Sequence, residues 1–211
     1  EARCLLTDHV HFILLNAYYP NDRDGERTEY RKIFYEAVRL RVRGLRAEGR
    51  SVILVGDLNA TAHPRDHCDF ARHLTGISEE DIQLAASGAD SSPHELLNLF
   101  YGGGGERPDR RWLAKLLTEM TDTFRLHHPE RTEAFTCWNV KVGARANNLG
   151  TRLDYILLAG PLQCTAANLE PNIQGSDHCP VWAEFDLDPL EGLEVALPAG
   201  TGANQTRLSH F

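Results

Sequence analysis

Residues 51–59 read Ser51-Val52-Ile53-Leu54-Val55-Gly56-Asp57-Leu58-Asn59, and this stretch decides the architecture. The unbroken apolar run Val52–Val55 is strand-sized and rich in β-branched residues. Such a run suits a strand buried on both faces, as in layered α/β proteins, rather than one with a wet side. Gly56 lets the backbone turn as the strand ends. Asp57 and Asn59 alternate with Leu58, so both point to one side, a carboxylate beside an amide.

The same grammar extends in both directions. Upstream, His9–Tyr19 runs apolar up to the turn signal Pro20-Asn21-Asp22 and reads as another buried strand. Glu26–Glu48 carries Tyr30, Ile33, Phe34, Ala37, Val38 and Leu45 at helical spacing. Its arginines (Arg39, Arg41, Arg43, Arg46 and the following Arg50) read as a solvated face in preference to a phosphate-binding one. Downstream, residues 60–110 are polar, with Pro64, Pro93 and the glycine run 102–105, and read as long loops with short helices. Arg111–Met120 reads as a helix, and Ala134–Trp138, Arg152–Ala159, Gln163–Leu169 and Val181–Leu187 as strands. Strands interspersed with helices predict an α/β layered fold over residues 1–187, followed by a Pro/Gly/Ala-rich linker at 188–204.

Composition narrows the function classes. With 211 residues, 42% of them hydrophobic and 25% charged, the chain has material for one domain with a real core. Disorder, collagen and coiled coil are excluded. A net charge of −8 argues against a protein that coats nucleic acid non-specifically, yet permits a DNA enzyme whose carboxylates hold a divalent metal. The apolar stretches are too short to span a membrane, so no membrane partner is expected. Cys4, Cys68, Cys137, Cys164 and Cys179 are odd in number and include no CxxC pair, which predicts a reducing compartment rather than a disulfide scaffold. The chain opens without Met and without an apolar leader, and reads as processed or as a fragment.

Three segments bring polar side chains against a buried strand: Asp57 and Asn59 after the first, Asp154 within Arg152-Leu153-Asp154-Tyr155-Ile156-Leu157, and Asp177-His178 within Gly175-Ser176-Asp177-His178-Cys179-Pro180 before the last. Taken singly, each has an ordinary structural explanation. An Asp at a strand end forms turns, an Asp inside a strand holds a neighbouring amide or Arg, and Asp-His is a common surface pair. Together, three carboxylates, one amide and one imidazole near strand ends make the oxygen-rich set that suits Mg²⁺ or Mn²⁺. An Asp bonded to His178 would orient the ring and favour its protonated form beside a phosphate. His67-Cys68-Asp69 has no partner pair at ligand spacing, so no zinc site is expected there.

These blocks, in order and spacing, resemble the signatures of the exonuclease III-like endonuclease/exonuclease/phosphatase superfamily. Ala62-His63-Pro64-Arg65-Asp66-His67-Cys68-Asp69 and Ala134-Phe135-Thr136-Cys137-Trp138-Asn139, with Gly143-Ala144-Arg145 and Asn148-Leu149-Gly150-Thr151-Arg152, are similar to its apurinic/apyrimidinic endonuclease 2 branch. The resemblance covers roughly residues 3–187 and implies a four-layered α/β sandwich with the site at one end of two sheets. It also implies metal-assisted in-line hydrolysis of a phosphodiester. Tyr18, in Asn16-Ala17-Tyr18-Tyr19-Pro20-Asn21, would face the scissile phosphate. Asp57 would orient or deprotonate the attacking water and Asn59 would help position it. Asp154 would support His178, which would stabilise the phosphorane. Asp57, Asn59, Asp177 and His178 would form the metal's surroundings, and Asn59 and His178 would contact substrate. Trp138 either lines the pocket for a flipped or frayed nucleotide or is a core residue. The superfamily's early strands supply an Asn and a Glu metal ligand that residues 1–17 lack, so the chain reads as the later part of the domain.

The resemblance implies a DNA base-excision-repair nuclease of the nucleus, or of the mitochondrion. It would act on damaged DNA as a 3′–5′ exonuclease, a 3′-phosphodiesterase or an endonuclease at abasic sites. Within the superfamily the rival is a phosphatase or phosphodiesterase on inositol phosphates or sphingomyelin. From another class, the rival is a non-catalytic fragment that binds the sliding clamp. Gln205-Thr206-Arg207-Leu208-Ser209-His210-Phe211 resembles an incomplete form of the peptide box that docks on the clamp PCNA, through Gln205, Leu208 and Phe211.

Overall fold

The computed structural model of the chain describes residues 3–21, 25–88, 92–102 and 107–187. Strands β1 (Arg3–Asp8) and β2 (Phe12–Tyr18) form a hairpin, and helix α1 (Thr28–Ala47) carries the chain back to β3 (Ser51–Asp57). Four helices follow: α2 (Cys68–Ala71), α3 (Glu79–Ser87), α4 (Glu95–Tyr101) and α5 (Pro108–Leu117). Next come β4 (Thr121–Asp122), α6 (Thr123–His127), β5 (Cys137–Trp138), β6 (Gly150–Thr151), β7 (Asp154–Ala159), β8 (Gln163–Leu169) and β9 (Val181–Asp186). The main sheet has the order β1-β2-β3-β7-β4; β2 and β3 run parallel, joined by α1, and the other pairs are antiparallel. Two further ribbons pair β5 with β6 and β8 with β9.

Strand alternation sorts the main sheet into two faces. Ile13, Leu15 and Ala17 of β2, Val52 and Leu54 of β3, and Tyr155, Leu157 and Ala159 of β7 form one apolar layer. Helix α1 meets it with Tyr35, Val38, Val42 and Leu45, and α5 with Leu113 and Leu116. Full burial of a leucine such as Leu54 or Leu157 is worth roughly 1.5–3 kcal/mol. The residues between them in sequence (Asn16, Tyr18, Asp57, Asp154 and Ile156) occupy the opposite face. Val181 and Trp182 of β9 line a narrow gap there with Asp154 and Ile156. The expected α/β class therefore holds, with α1 and α5 on one side of the larger sheet and the β8–β9 ribbon, together with α6, on the other.

The structure redraws several elements. The stretch read as a single strand, His9–Tyr19, begins as a tight turn, with Val10 at φ 65° and its N–H bonded to the Asp8 carboxylate at 2.8 Å. A β-branched residue rarely adopts that conformation, so the turn leaves no sequence signature, and β1 goes unread with it. Strand β3 does not end at Gly56 but continues through Asp57. A Cβ at Gly56 would lie 2.0 Å from the Ala17 carbonyl oxygen, at φ +133°, so the glycine permits close strand approach rather than a turn. The helix read at Arg111–Met120 starts three residues earlier, with Pro108 in its first turn. Only Cys137–Trp138 of the strand read at Ala134–Trp138 is a strand. The short elements β4, α6 and β6 lie where no element was expected.

The arginine-rich face of α1 is largely occupied within the chain. Arg39 and Arg43 both bond Glu119, and Arg50 bonds Asp8. The linker at 188–204 and the segment 205–211 lie outside the described residues.

Candidate active site

Strands β3 and β7 are antiparallel neighbours in a register that sets Asp57 opposite Asp154. The two carboxylates thus stand side by side at one end of the sheet, on the face away from α1 and α5. Tyr18 shares that face and is 40% exposed. The backbone continues β2's contact with β3 up to this point, Tyr19 N–H donating to the Asp57 carbonyl at 2.9 Å.

Asn59 sits in the left-handed region (φ 48°), which Asn tolerates better than most residues. From there its backbone N–H donates to Asp57 Oδ1 at 2.8 Å, and Nδ2 donates to Asp57 Oδ2 at 3.1 Å and to the Tyr19 carbonyl at 2.8 Å. One residue thereby fixes both oxygens of the Asp57 carboxylate. The loop beyond is held by side chains from three elements. Tyr35 of α1 donates to the Leu58 carbonyl at 2.5 Å and Arg31 of α1 to the Asn59 carbonyl at 3.0 Å. Tyr155 of β7 donates to the Ala60 carbonyl at 3.3 Å and Tyr101 of α4 to the Ala62 carbonyl at 2.8 Å.

The third segment arrives through a short ladder. Cys137 forms an antiparallel bridge with His178, flanked by Trp138 N–H to the Asp177 carbonyl at 2.9 Å and Cys179 N–H to the Thr136 carbonyl at 2.8 Å. Thr136 Oγ1 also accepts from the backbone N–H of Leu153 and of Asp154, at 2.9 and 3.1 Å, which ties the ladder to the start of β7. The result is His178 Nδ1 at 2.7 Å from Asp154 Oδ2. That hydrogen bond, with a further one to Cys137, raises the imidazole to about 11, against the opposing effect of burial. Asp57 is raised too: burial lifts its carboxyl to about 6. Asn59 and the charge of His178 pull it down, while Asp154 and Asp177 push it up. Among the described residues, no Lys or Arg side chain pairs with Asp57, Asp154 or Asp177. A partly desolvated cluster of carboxylates with one histidine and no Lys or Arg partner among the described residues is a donor set a hard divalent cation fits.

The structure therefore gathers Tyr18, Asp57, Asn59, Asp154, Asp177 and His178 at one end of the main sheet. It does not bring Trp138 into the open. That residue is 3% exposed and packs with Phe124, Phe135, Leu169 and Cys179, its Nε1–H donating to Asn148 Oδ1 at 3.0 Å and Arg145 lying over its ring. Of the two roles left open for Trp138, the structure favours the core one over substrate contact: alternation turns Thr136 and Trp138 inward, and the β5 residue that faces the site is Cys137. His67, Cys68 and Asp69 cluster within 4.8 Å, with His67 Nδ1 accepting the Asp69 N–H.

Sequence reasoning missed the support of the site. Arg152, fully buried, reaches Asp66 at 2.8 Å and Asp122 at 2.7 Å, while Arg125 also bonds Asp66. An Arg inside an otherwise apolar strand flank was the available signal, because a buried guanidinium requires buried carboxylates.

The family model described as the Endonuclease/Exonuclease/phosphatase family matches residues 2–178. The chain is 35% identical over 207 residues to the DNA-(apurinic or apyrimidinic site) endonuclease 2 of Schizosaccharomyces pombe, covering 93% of this chain and 34% of that protein. It is 36% identical over 207 residues to the protein of that name from Mus musculus, covering 89% of this chain and 36% of that one. The chain thus spans about a third of the length of these curated relatives. Among solved structures, the catalytic domain of Xenopus laevis APE2 superposes with a TM-score of 0.62 at 30% identity, over 87% of this chain and 52% of that one. The 3′ phosphatase NExo from Neisseria, bound to a product DNA hairpin, shares the fold at a TM-score of 0.65 and 21% identity, over 88% of this chain and 65% of that one.

Proposed function

The chain belongs to the endonuclease/exonuclease/phosphatase family, and from that premise we propose that it is the later part of the catalytic domain of a DNA-repair nuclease. The proposed reaction is hydrolysis of a phosphodiester at damaged DNA: 3′–5′ exonuclease and 3′-phosphodiesterase action at 3′ ends, and incision at abasic sites. The observation that carries the reading is the His178–Asp154 pair at 2.7 Å with Asp57 in register beside it. A base, a fixed imidazolium and a carboxylate cluster at one strand end are the parts that phosphodiester hydrolysis requires.

In this mechanism Asp57 accepts a proton from the attacking water. Asn59, by bonding both carboxylate oxygens, sets the direction in which Asp57 does so. His178 stays protonated because Asp154 accepts from Nδ1, and it offers its remaining N–H to a non-bridging phosphate oxygen as charge builds there. Tyr18, on the same sheet face, offers its hydroxyl to the same phosphate. Asp57, Asn59, Asp177 and His178 surround the position where Mg²⁺, or Mn²⁺, would be held. Bound there, the cation would supply Lewis-acid neutralisation of phosphate charge. The names of the relatives support DNA as substrate; action in the nucleus, or in the mitochondrion, follows from that substrate. Docking on PCNA through Gln205, Leu208 and Phe211 is proposed from the sequence alone.

The test uses the full-length protein, Mg²⁺, and 5′-labelled duplexes carrying a recessed 3′ end, a blocked 3′ end or an abasic site. Shortening or unblocking of the 3′ end that is lost with His178→Asn supports the reading. Hydrolysis of inositol phosphates or sphingomyelin with the DNA left intact overturns it in favour of the superfamily's other branch.

A further inference from the structure

Cys137 faces the site, and the hydrolysis proposed above gives it no role beyond its contact with His178. Its position is not accidental to the fold. It pairs with Thr151 across the β5–β6 ribbon on one side and with His178 through the β-bridge on the other. Directly opposed residues of antiparallel segments present their side chains on the same face, within reach of each other. The hydrogen bonds on either side, Trp138 to Asp177 and Cys179 to Thr136, hold the two segments in that register. The outcome is that the Cys137 sulfur, a carboxylate oxygen of Asp177 and a ring nitrogen of His178 all lie within 4.8 Å of one another.

That trio differs in kind from the oxygen-rich set around Asp57. A thiolate, an imidazole and a carboxylate are donors for zinc-class cations, and Mg²⁺ gains little from sulfur. Tetrahedral zinc wants its ligand atoms roughly 3.5 Å apart. The exposed Asp177 side chain and the half-buried Cys137 need only rotamer-sized movements to reach that spacing. The second shell is already in place. Asp154 holds His178 Nδ1 at 2.7 Å, leaving Nε2 to coordinate, which is the carboxylate–imidazole arrangement that orients histidine ligands. Three protein ligands leave a fourth position for water.

We propose that Cys137, Asp177 and His178 form a thiolate-containing site for Zn²⁺ or Cd²⁺, and that filling it inhibits hydrolysis. On binding, the Cys137 thiol releases its proton to solvent as the metal–sulfur bond forms, and His178 gives up its Nε2 proton for the metal. Asp177 and His178 are thereby withdrawn from the phosphate. The inhibitory half rests on the nuclease reading; the binding half does not.

The experiment therefore has an optical arm and a kinetic arm. The full-length protein is titrated with Cd²⁺ in excess Mg²⁺, following the ultraviolet thiolate-to-cadmium charge-transfer band, alongside Cys137→Ser and, to control for the His67-Cys68-Asp69 cluster, Cys68→Ser. The expected result is a saturable band absent in Cys137→Ser and retained in Cys68→Ser. A band unchanged in Cys137→Ser, or one abolished only by Cys68→Ser, overturns the site. In the kinetic arm, the Zn²⁺ concentration that halves DNA hydrolysis at saturating Mg²⁺ should rise at least tenfold in Cys137→Ser, each protein being compared with its own uninhibited rate. Cadmium bound at Cys137 with hydrolysis unslowed by Zn²⁺ overturns the inhibitory half. Protein that binds cadmium at Cys137 but never cleaves DNA overturns the nuclease reading and leaves the metal site standing.

Discussion

Two groups of carboxylates, one buried and one half-buried, lie on either side of Leu153, and their fates are opposite. Just before it, Arg152 draws Asp66 and Asp122 into a buried network that Arg125 completes. Just after it, Asp154 stands beside Asp57 with a histidine and no arginine. Burial alone would raise Asp66, but the charges and hydrogen bonds of Arg152 and Arg125 outweigh it and bring the group down to about 2. Asp57, buried with carboxylate neighbours, rises to about 6. The lesson is that one residue type, a few residues apart, serves stability where its charge is neutralised and chemistry where it is left wanting a cation.

The sharpest way to break this comparison is at Asp57. Asp57→Ala in the full-length protein should lower DNA hydrolysis by about 1,000-fold or more while binding to DNA persists. The variant's melting should be at least as stable as the parent's, because an unneutralised carboxylate has been removed. Retained turnover would take Asp57 out of the mechanism. On the other side, Arg152→Met should cost roughly 3–5 kcal/mol in urea unfolding, since it strands Asp122 and leaves Asp66 with Arg125 alone. A loss below about 1 kcal/mol would mean that the network is ornamental.

The pH dependence sharpens the same contrast. Because Asp66 is held below its unfolded value of 3.8, its contribution is full above that pH and is lost as pH falls through its folded value of about 2. The shift corresponds to about 2 kcal/mol. Unfolding measured at pH 5, 4, 3 and 2 should show that decrement, and Asp66→Asn should flatten it. The smallest effect is expected at Tyr35→Phe, which removes the hydroxyl from the Leu58 carbonyl. It should cost about 1 kcal/mol of stability and lower kcat with little change in KM, because the loop that aims Asp57 loosens. A change confined to KM would assign Tyr35 to substrate binding instead.

Much of this was legible in the sequence, for a physical reason. Val52–Leu54 is buried on both faces, so its apolar run had to be continuous. Asp57, Asp154 and His178 interrupt apolar segments in a way that packing alone does not explain. What escaped reading depended on contacts distant in the chain. Gly56 looks like any turn glycine until the Ala17 carbonyl is found where its Cβ would be. Trp138 and Cys137 are adjacent, and only the direction of alternation, set by Thr136 bonding the start of β7, decides which one turns toward the site. Val10 carries the hairpin turn in a conformation its side chain disfavours, so no propensity could announce it.

The tethering of the loop after β3 has a consequence for partly folded molecules. Its carbonyls are gripped from α1, α4 and β7, and the Leu58 N–H is itself bonded to the Leu153 carbonyl at 2.8 Å. Opening of α1 or β7 therefore frees the backbone around Asn59, the residue that fixes Asp57. Local opening and loss of activity should thus coincide, and the Leu58 amide should exchange its hydrogen only with the slowest, globally unfolding set. A chain caught midway through folding or breathing would lack the fixed Asp57 on which the proposed hydrolysis rests.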